Sequence, residues 1–169
     1  ALRGVYRQLA SSNYYGENFV TLAYYPSGDI KCLTTGTILN LVNWDFRADN
    51  ASLNSFWNAA YSTINRANHV IKKTPDVSDA NFTEQERKQI IGEAKFIRAL
   101  AYFDLARTFG GVQIYLDPTD NLNTRPSVKR SSLGDTFKQV LNDLNDAETL
   151  LPENVNRIRA TKSTVWALK

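Results

Sequence analysis

"GEAKFIRALAYFDLARTFGGV", residues 92–112, is the stretch whose reading decides the fold. It runs apolar almost without a break, carries Phe96, Tyr102 and Phe103, and stops at Gly110 and Gly111. Projected at about 100° per residue, Ile90, Ala94, Ile97, Ala101 and Leu105 form one stripe. Phe96, Leu100 and Phe103 form a second, nearly opposite, flanked by Ala99 and Ala106. A helix apolar on two sides is packed on two sides. The alanines let neighbouring helices approach and the rings fill the spaces between, so the stretch reads as the middle of a helical stack and not as a ligand surface. Upstream, Thr83 and Glu86 make a T-x-x-E capping box that predicts a start near Glu84. The glycine pair supplies a left-handed stop after Phe109. The helix is then roughly 39 Å long at about 1.5 Å per residue.

Working outward, "ASLNSFWNAAYSTINRANHVIKK" at 51–73 places Trp57, Ala60, Tyr61, Ile64, Ala67 and Ile71 on one face. Ser52 is its predicted N-cap, and Pro75 ends it. A third long helix is predicted from about Leu133 to Leu151, capped by Ser132 with Asp135 three residues on. Its expected buried face is Phe137, Val140, Leu141, Leu144, Ala147 and Leu151. Leu2, Val5, Tyr6 and Leu9 give a short amphipathic helix, and "ATKSTVWALK" at 160–169 reads as the opening of another. Between the second and third long helices, "GVQIYLDPTDNLNTRPSVKRSS" at 111–132 is an extended connector with two prolines. The expected fold class is all-α, with tetratricopeptide-like antiparallel helix hairpins and a long irregular loop near the N-terminus. No strict repeat of about 34 residues is present, so the likeness to regular repeat arrays is architectural.

Residues 13–50 supply that loop. They are rich in Asn, Gly, Ser and Thr, carry clustered Tyr and Trp, and show no clear period beyond one short helix expected near Gly36–Leu41. Loops of that length in a compact domain are uncommon and often functional. The net charge of +3 is spread without a run of like charges, so no basic stripe points to a nucleic-acid partner. No run approaches the ~18 apolar residues of a bilayer-spanning helix. Cys32 is the only cysteine, which excludes an internal disulfide framework. The absence of Met and the helix opening at the last residues raise the expectation that the sequence is a piece of a longer chain.

Three segments together resemble the SusD/RagB family of outer-membrane glycan-binding lipoproteins. They are "LRGVYRQL" at the start; "FWNAAYSTINRANHVI", through Trp57, Tyr61, Ile64, Ala67 and Asn68; and the opening stretch, which is similar to the family's E-A-K-F-x-R-A-x-x-Y-F-x-L-x-x-x-F-G-G-V signature. Glu93, Lys95, Arg98, Tyr102, Phe103, Gly110 and Gly111 stand at the signature positions. Gln113 takes a place where the family often has Pro. The resemblance implies that residues 1–169 are the N-terminal helical domain of a longer protein. It implies a non-catalytic, cell-surface protein, held at the outer membrane by an N-terminal lipid absent from this sequence. Such a protein captures oligosaccharide for a SusC-like TonB-dependent transporter. In the family the helical region is chiefly scaffold and transporter contact, and ligand contacts come largely from loops.

Sugar binding without catalysis needs flat aromatic faces for pyranose C–H surfaces, with amides and carboxylates beside them for hydroxyls. "LVNWDF" offers Asn43, Trp44, Asp45 and Phe46 together, and "LAYYPSGD" offers Tyr24 and Tyr25. The expected glycan site is therefore Trp44 as the stacking face, Asn43 and Asp45 for hydroxyls, and Tyr24 and Tyr25 nearby. The competing reading is that these rings, with Tyr14 and Tyr15 of "YYGENF", pin the loop onto the helices. The chain would then be a protein-interaction scaffold that docks the transporter and binds no sugar itself. The two differ in exposure: a binder leaves Trp44 and neighbouring tyrosines facing solvent, a scaffold buries them. No catalytic, cofactor or metal site is expected. His69 is a lone helical histidine, more simply structural than catalytic. "DPTDN" at 117–121 lacks the D-x-[DN]-x-[DN]-G spacing of a calcium loop. Nothing sets Asp45 and Asp49 at the separation that a hydrolase pair requires.

Overall fold

The computed structural model describes residues 1–33, 35–120, 127–153 and 158–169. Its α-helices are α1 (Leu2–Leu9), α2 (Asn18–Tyr24), α3 (Thr37–Val42), α4 (Ala51–Lys73), α5 (Glu84–Phe109), α6 (Leu133–Leu150) and α7 (Lys162–Leu168). A π-type turn at Ser12–Gly16 and a 3-10 turn at Tyr25–Ser27 complete the order. No strand occurs among the described residues, and the fold is all-α as expected. None of the helices is long and apolar enough to cross a membrane. The chain divides into a larger unit, residues 1–5 with 63–169, and a smaller one, residues 6–62.

The larger unit is built on α5. Its capping box forms as the sequence predicts: the Glu86 amide donates to Thr83 Oγ1 at 3.2 Å, and the Thr83 amide and hydroxyl donate to Glu86 Oε2 at 2.9 and 2.8 Å. Those bonds, the backbone amide's first, hold the Glu86 carboxyl below its ordinary pKa. The glycine pair at the other end does two different jobs. Gly110 takes φ +79°, which side chains resist. Gly111 lies where an added Cβ would come within 2.1 Å of the Ser131 carbonyl oxygen. Arg130 then caps the helix end, donating to Gly111 O at 2.6 Å and Phe109 O at 2.7 Å, a cation on orphan carbonyls.

Helices α5 and α6 run antiparallel, as their partners show: Lys95 with Asp146, Arg98 with Asp143, and Phe103 edge-on to Phe137 at 6.2 Å. Four of the five residues of the first predicted stripe are core, with Ala94, Ile97, Ala101 and Leu105 fully buried, and Ile90 is half-buried. In the second, Phe96, Leu100 and Phe103 are half-buried. Hydropathy spacing gave no sign of the buried charge between them: Glu93, Arg98 and Asp104 are all 5% exposed or less.

Each of these charges is satisfied. Arg98 grips the Asp143 carboxylate with two nitrogens at 2.8 and 2.6 Å, and donates to Asn68 Oδ1 at 2.8 Å and Leu116 O at 3.3 Å. Asn68 in turn donates to Tyr115 O and Asp117 O. The Tyr102 hydroxyl accepts from the Tyr115 amide at 2.7 Å and donates to its carbonyl at 2.9 Å. Asn65 clasps Thr119 in the same way. Polar side chains of α4 and α5 thus stand in for a strand partner along the extended segment 115–119. Part of the connector, 121–126, lies outside the described residues. Arg159 reaches Glu93 through two nitrogens at 2.9 and 3.0 Å, and Trp166 of α7 donates to Glu148 of α6.

The structure corrects the sequence reading at several points. The buried side of α4 comprises Phe56, Ala59, Ala60, Thr63, Ile64, Ala67, Asn68 and Val70, while Trp57, Tyr61 and Ile71 are half-buried. The face is turned because Asn68 and Thr63, polar by composition, lie inside. In α6, Leu141 is 48% exposed, and Thr136 and Asp143 share the core with Val140 and Leu144. The N-cap of α4 is Asn50 and not Ser52: Asn50 Oδ1 accepts the amides of Ser52 and Leu53 at 3.0 and 3.2 Å. Residues 13–50 also hold more helix than their lack of period suggested, in α2 and the two turns.

That lack of period has a physical source. The smaller unit packs rings where a helix hairpin would pack aliphatic side chains. Tyr14 is fully buried, edge-on to Phe56 at 5.2 Å and 4.9 Å from Tyr15, and Tyr15 stacks on Phe19 at 4.4 Å. Tyr14 and Tyr15 therefore pin the region, as the competing reading had it for those two residues.

Candidate functional site

The site is assembled on the short excursion between α3 and α4. Helix α3 starts after Gly36 and closes at Asn43, whose amide bonds to Leu39 O. The chain then reverses: Trp44 N donates to Leu41 O at 3.2 Å and Asp45 N to Asn40 O at 2.8 Å. Trp44 makes this reversal at φ +60°, the one non-glycine residue at positive φ among the described residues. An L-residue pays for the left-handed conformation with roughly 1–2 kcal/mol, and only Gly and, less freely, Asn or Asp adopt it routinely. A tight turn between Arg47 O and Asn50 N at 3.1 Å ends the excursion.

Asn50 is the strap. Only 2% exposed, it caps α4 with its carbonyl oxygen while its amide donates to Thr37 O at 3.2 Å, fastening the loop's exit to the start of α3. With both ends tied, the residues between are displayed. Trp44 is 66% exposed and Phe46 50%, the two rings edge-to-face at 5.8 Å and 79°. This T-shaped contact supports the indole from one side and leaves a face of it open. Asp45 is held by Arg47 Nε at 2.8 Å, and Asn43 is exposed.

Of the five expected site residues, Asn43, Trp44 and Asp45 are therefore brought together on one loop. Tyr24 ends α2 and Tyr25 opens the 3-10 turn after it, in the same unit. Tyr24 is 62% exposed and Tyr25 half-buried. With Val20, Thr21 and Ile30 they line a shallow pocket of about 400 Å³, and α3 packs against the 3-10 turn that carries Tyr25. Sequence reasoning had Phe46 beside Trp44 without giving it a place in the site. It did not read Asn50 as a cap, although an Asn directly before an apolar-periodic run is a cap signal.

Elsewhere, His69 Nε2 lies 3.5 Å from Asp120 Oδ1 and Lys72 pairs with Asp117 at 3.3 Å, a surface set of charges on α4 and the start of the connector. Among the described residues no three His, Cys, Asp or Glu side chains gather as metal ligands. Asn121, at the end of "DPTDN", is outside the described residues.

Fold and loop together define a helix-hairpin scaffold of the tetratricopeptide sort that displays an aromatic loop. The chain belongs to the SusD-like family: the family pattern described as starch-binding, associating with outer membrane, matches residues 4–169. A SusD-like protein of Bacteroides ovatus is 31% identical over 128 residues, covering 76% of this chain and 23% of its own. A solved laminarin-binding SusD-like protein superposes with a TM-score of 0.85 at 26% identity, over 99% of this chain and 37% of its own. A structure solved with xylogluco-oligosaccharide gives a TM-score of 0.78 at 26% identity, over 99% and 33%. The chain thus spans about a quarter to two fifths of the length of these relatives.

Proposed function

We propose that the chain is the helical portion of a non-catalytic, cell-surface protein that captures oligosaccharide at the outer membrane for a TonB-dependent transporter, with Trp44 as a stacking face and Asn43 and Asp45 as hydroxyl partners. The observation that carries this reading is Trp44 itself. A large aromatic ring is displayed to solvent on a loop strapped at both ends, in a backbone conformation that costs stability. Strain and exposure at one residue are what a binding role retains and a packing role removes. The exposure of Trp44 and Tyr24 supports a binder over a scaffold that buries its rings. The relatives solved as a laminarin binder and with xylogluco-oligosaccharide support a glycan as the ligand class.

Intrinsic tryptophan fluorescence tests the reading, titrating the full chain with malto-, laminari-, cello- and xylogluco-oligosaccharides. Saturable quenching by one class is expected, lost in Trp44→Phe and kept in Trp57→Phe. A ring-stacked pyranose contributes about 1–3 kcal/mol by analogy with base–aromatic stacking, so Trp44→Ala weakens binding by about ten-fold or more. A flat response across the panel, or quenching that survives in Trp44→Ala, transfers the role to the transporter-docking scaffold.

A further inference from the structure

Resting on that reading, the charges around the loop sort its ligands. The loop carries Asp45, Arg47 and Asp49 within five residues. Its single cation is engaged: Arg47 Nε sits 2.8 Å from Asp45 Oδ2, with both side chains at the surface. Asp49, exposed in the turn that follows, makes no ion pair among the described residues. The excursion that displays Trp44 therefore has an excess of one negative charge and no cation to spare.

The rest of the smaller unit points the same way. Its charged residues are Arg7, Lys31 and Arg47 against Glu17, Asp29, Asp45 and Asp49, a net charge of −1. The chain as a whole is +3, so the larger unit holds the basic excess and the unit displaying the rings holds none. Glu17 and Asp29 flank, in sequence, four of the five residues that line the Tyr24–Tyr25 pocket.

We infer that the Trp44 loop selects uncharged glycans and disfavours those bearing uronate or sulfate groups. A neutral pyranose laid on the indole brings hydroxyls to a carboxylate that Arg47 has already oriented, and neither partner gives up a charge interaction. An anionic sugar in the same place meets Asp45 and Asp49 as like charges, and its only available cation must leave Asp45 to answer it. Like charges across an interface act against wrong partners more than they add to the right one. Both acids are exposed, so the effect is moderate and screened by salt.

The test is a set of matched pairs: each malto-, laminari- and cello-oligosaccharide and its derivative oxidised at C6 to the uronate, titrated calorimetrically into the full chain. The neutral member is expected to bind about two- to five-fold more tightly than its oxidised partner at low salt, with the gap narrowing as salt rises. Arg47→Ala widens the ratio by leaving Asp45 unanswered, and Asp49→Asn narrows it. An oxidised member that binds as tightly as its parent overturns the charge selection and leaves glycan capture standing. A gap that moves with neither salt nor the two variants assigns it to the lost C6 hydroxyl and likewise overturns the proposal. Silence from every pair, neutral and oxidised, removes glycan capture and the selection together.

Discussion

The two units of the chain spend polar and aromatic residues in opposite ways. In the larger one charge is inside: Arg98, Asp143 and Glu93 are nearly sealed from water and fully partnered. In the smaller one charge is outside, and aromatic rings are split between a buried set around Tyr14 and a displayed set around Trp44. Buried, satisfied polar networks fix one arrangement of helices and tolerate little change. A strapped loop with exposed rings can change its side chains without disturbing what holds it. The difference separates a unit whose buried polar groups lock its packing from a unit that leaves part of its rings at the surface.

The comparison breaks most visibly at Arg98. Arg98→Ala leaves Asp143 buried without its cation and strands Asn68 Oδ1 and Leu116 O. Removing one partner of such a pair costs about 3–5 kcal/mol, read as a lower urea midpoint by circular dichroism. The double change Arg98→Met with Asp143→Leu recovers much of the loss, because an apolar pair no longer leaves an uncompensated charge. It does not recover all of it, since Asn68 and Leu116 stay unanswered. A single-variant loss below about 1 kcal/mol would place the pair among ordinary surface bridges and dissolve the contrast between the units.

Arg98 also shows what the sequence made legible and what it did not. The helix around it, its capping box, its glycine stop and its apolar stripe all follow from spacing and local chemistry, because those signals reside in neighbouring residues. The partner did not, because Asp143 is 45 positions away on another helix and nothing local marks a buried carboxylate. The same limit turned the face of α4, where Asn68 is interior because the segment near Tyr115 needs it. Leu141 was assigned to the core by period, but the buried face runs through Thr136, Val140, Asp143 and Leu144, which puts Leu141 at the surface. In the smaller unit a ring-packed core has no repeat for a periodicity argument to find, so α2 went unseen. Asn43, Trp44 and Asp45 were singled out by residue type and not by period, and what the structure adds is that Trp44 and Asn43 face solvent.

A smaller effect sharpens the contrast at the loop's exit. Asn50→Ala removes both the α4 cap and the tie to Thr37 O, and a lost cap alone costs about 1 kcal/mol. With the buried hydrogen bond added, the expected loss is about 2 kcal/mol. Ser52→Ala, one turn position further in, changes stability by less than about 0.5 kcal/mol, since the Ser52 side chain is not the cap. Equal losses in the two variants, measured side by side in urea, would restore Ser52 as the helix start and leave the loop unstrapped.

The smallest effect has the opposite sign, and it separates packing from presentation at one residue. Trp44→Asn replaces a side chain strained at φ +60° by one that enters the left-handed region readily, and Asn is preferred to Gly because it adds less freedom to the unfolded chain. The variant forgoes the edge-on contact with Phe46, which for this exposed pair is at the low end of the range, about 0.5 kcal/mol. Relief of strain outweighs that contact, so stability rises by about 0.5 kcal/mol while glycan quenching disappears. Gains of this kind with function lost mark residues retained for what they bind and not for what they hold together. If Trp44→Asn instead lowers stability by 1 kcal/mol or more, the indole is a structural member. The displayed ring of the smaller unit then belongs with its buried Tyr14 set, as part of what keeps the fold.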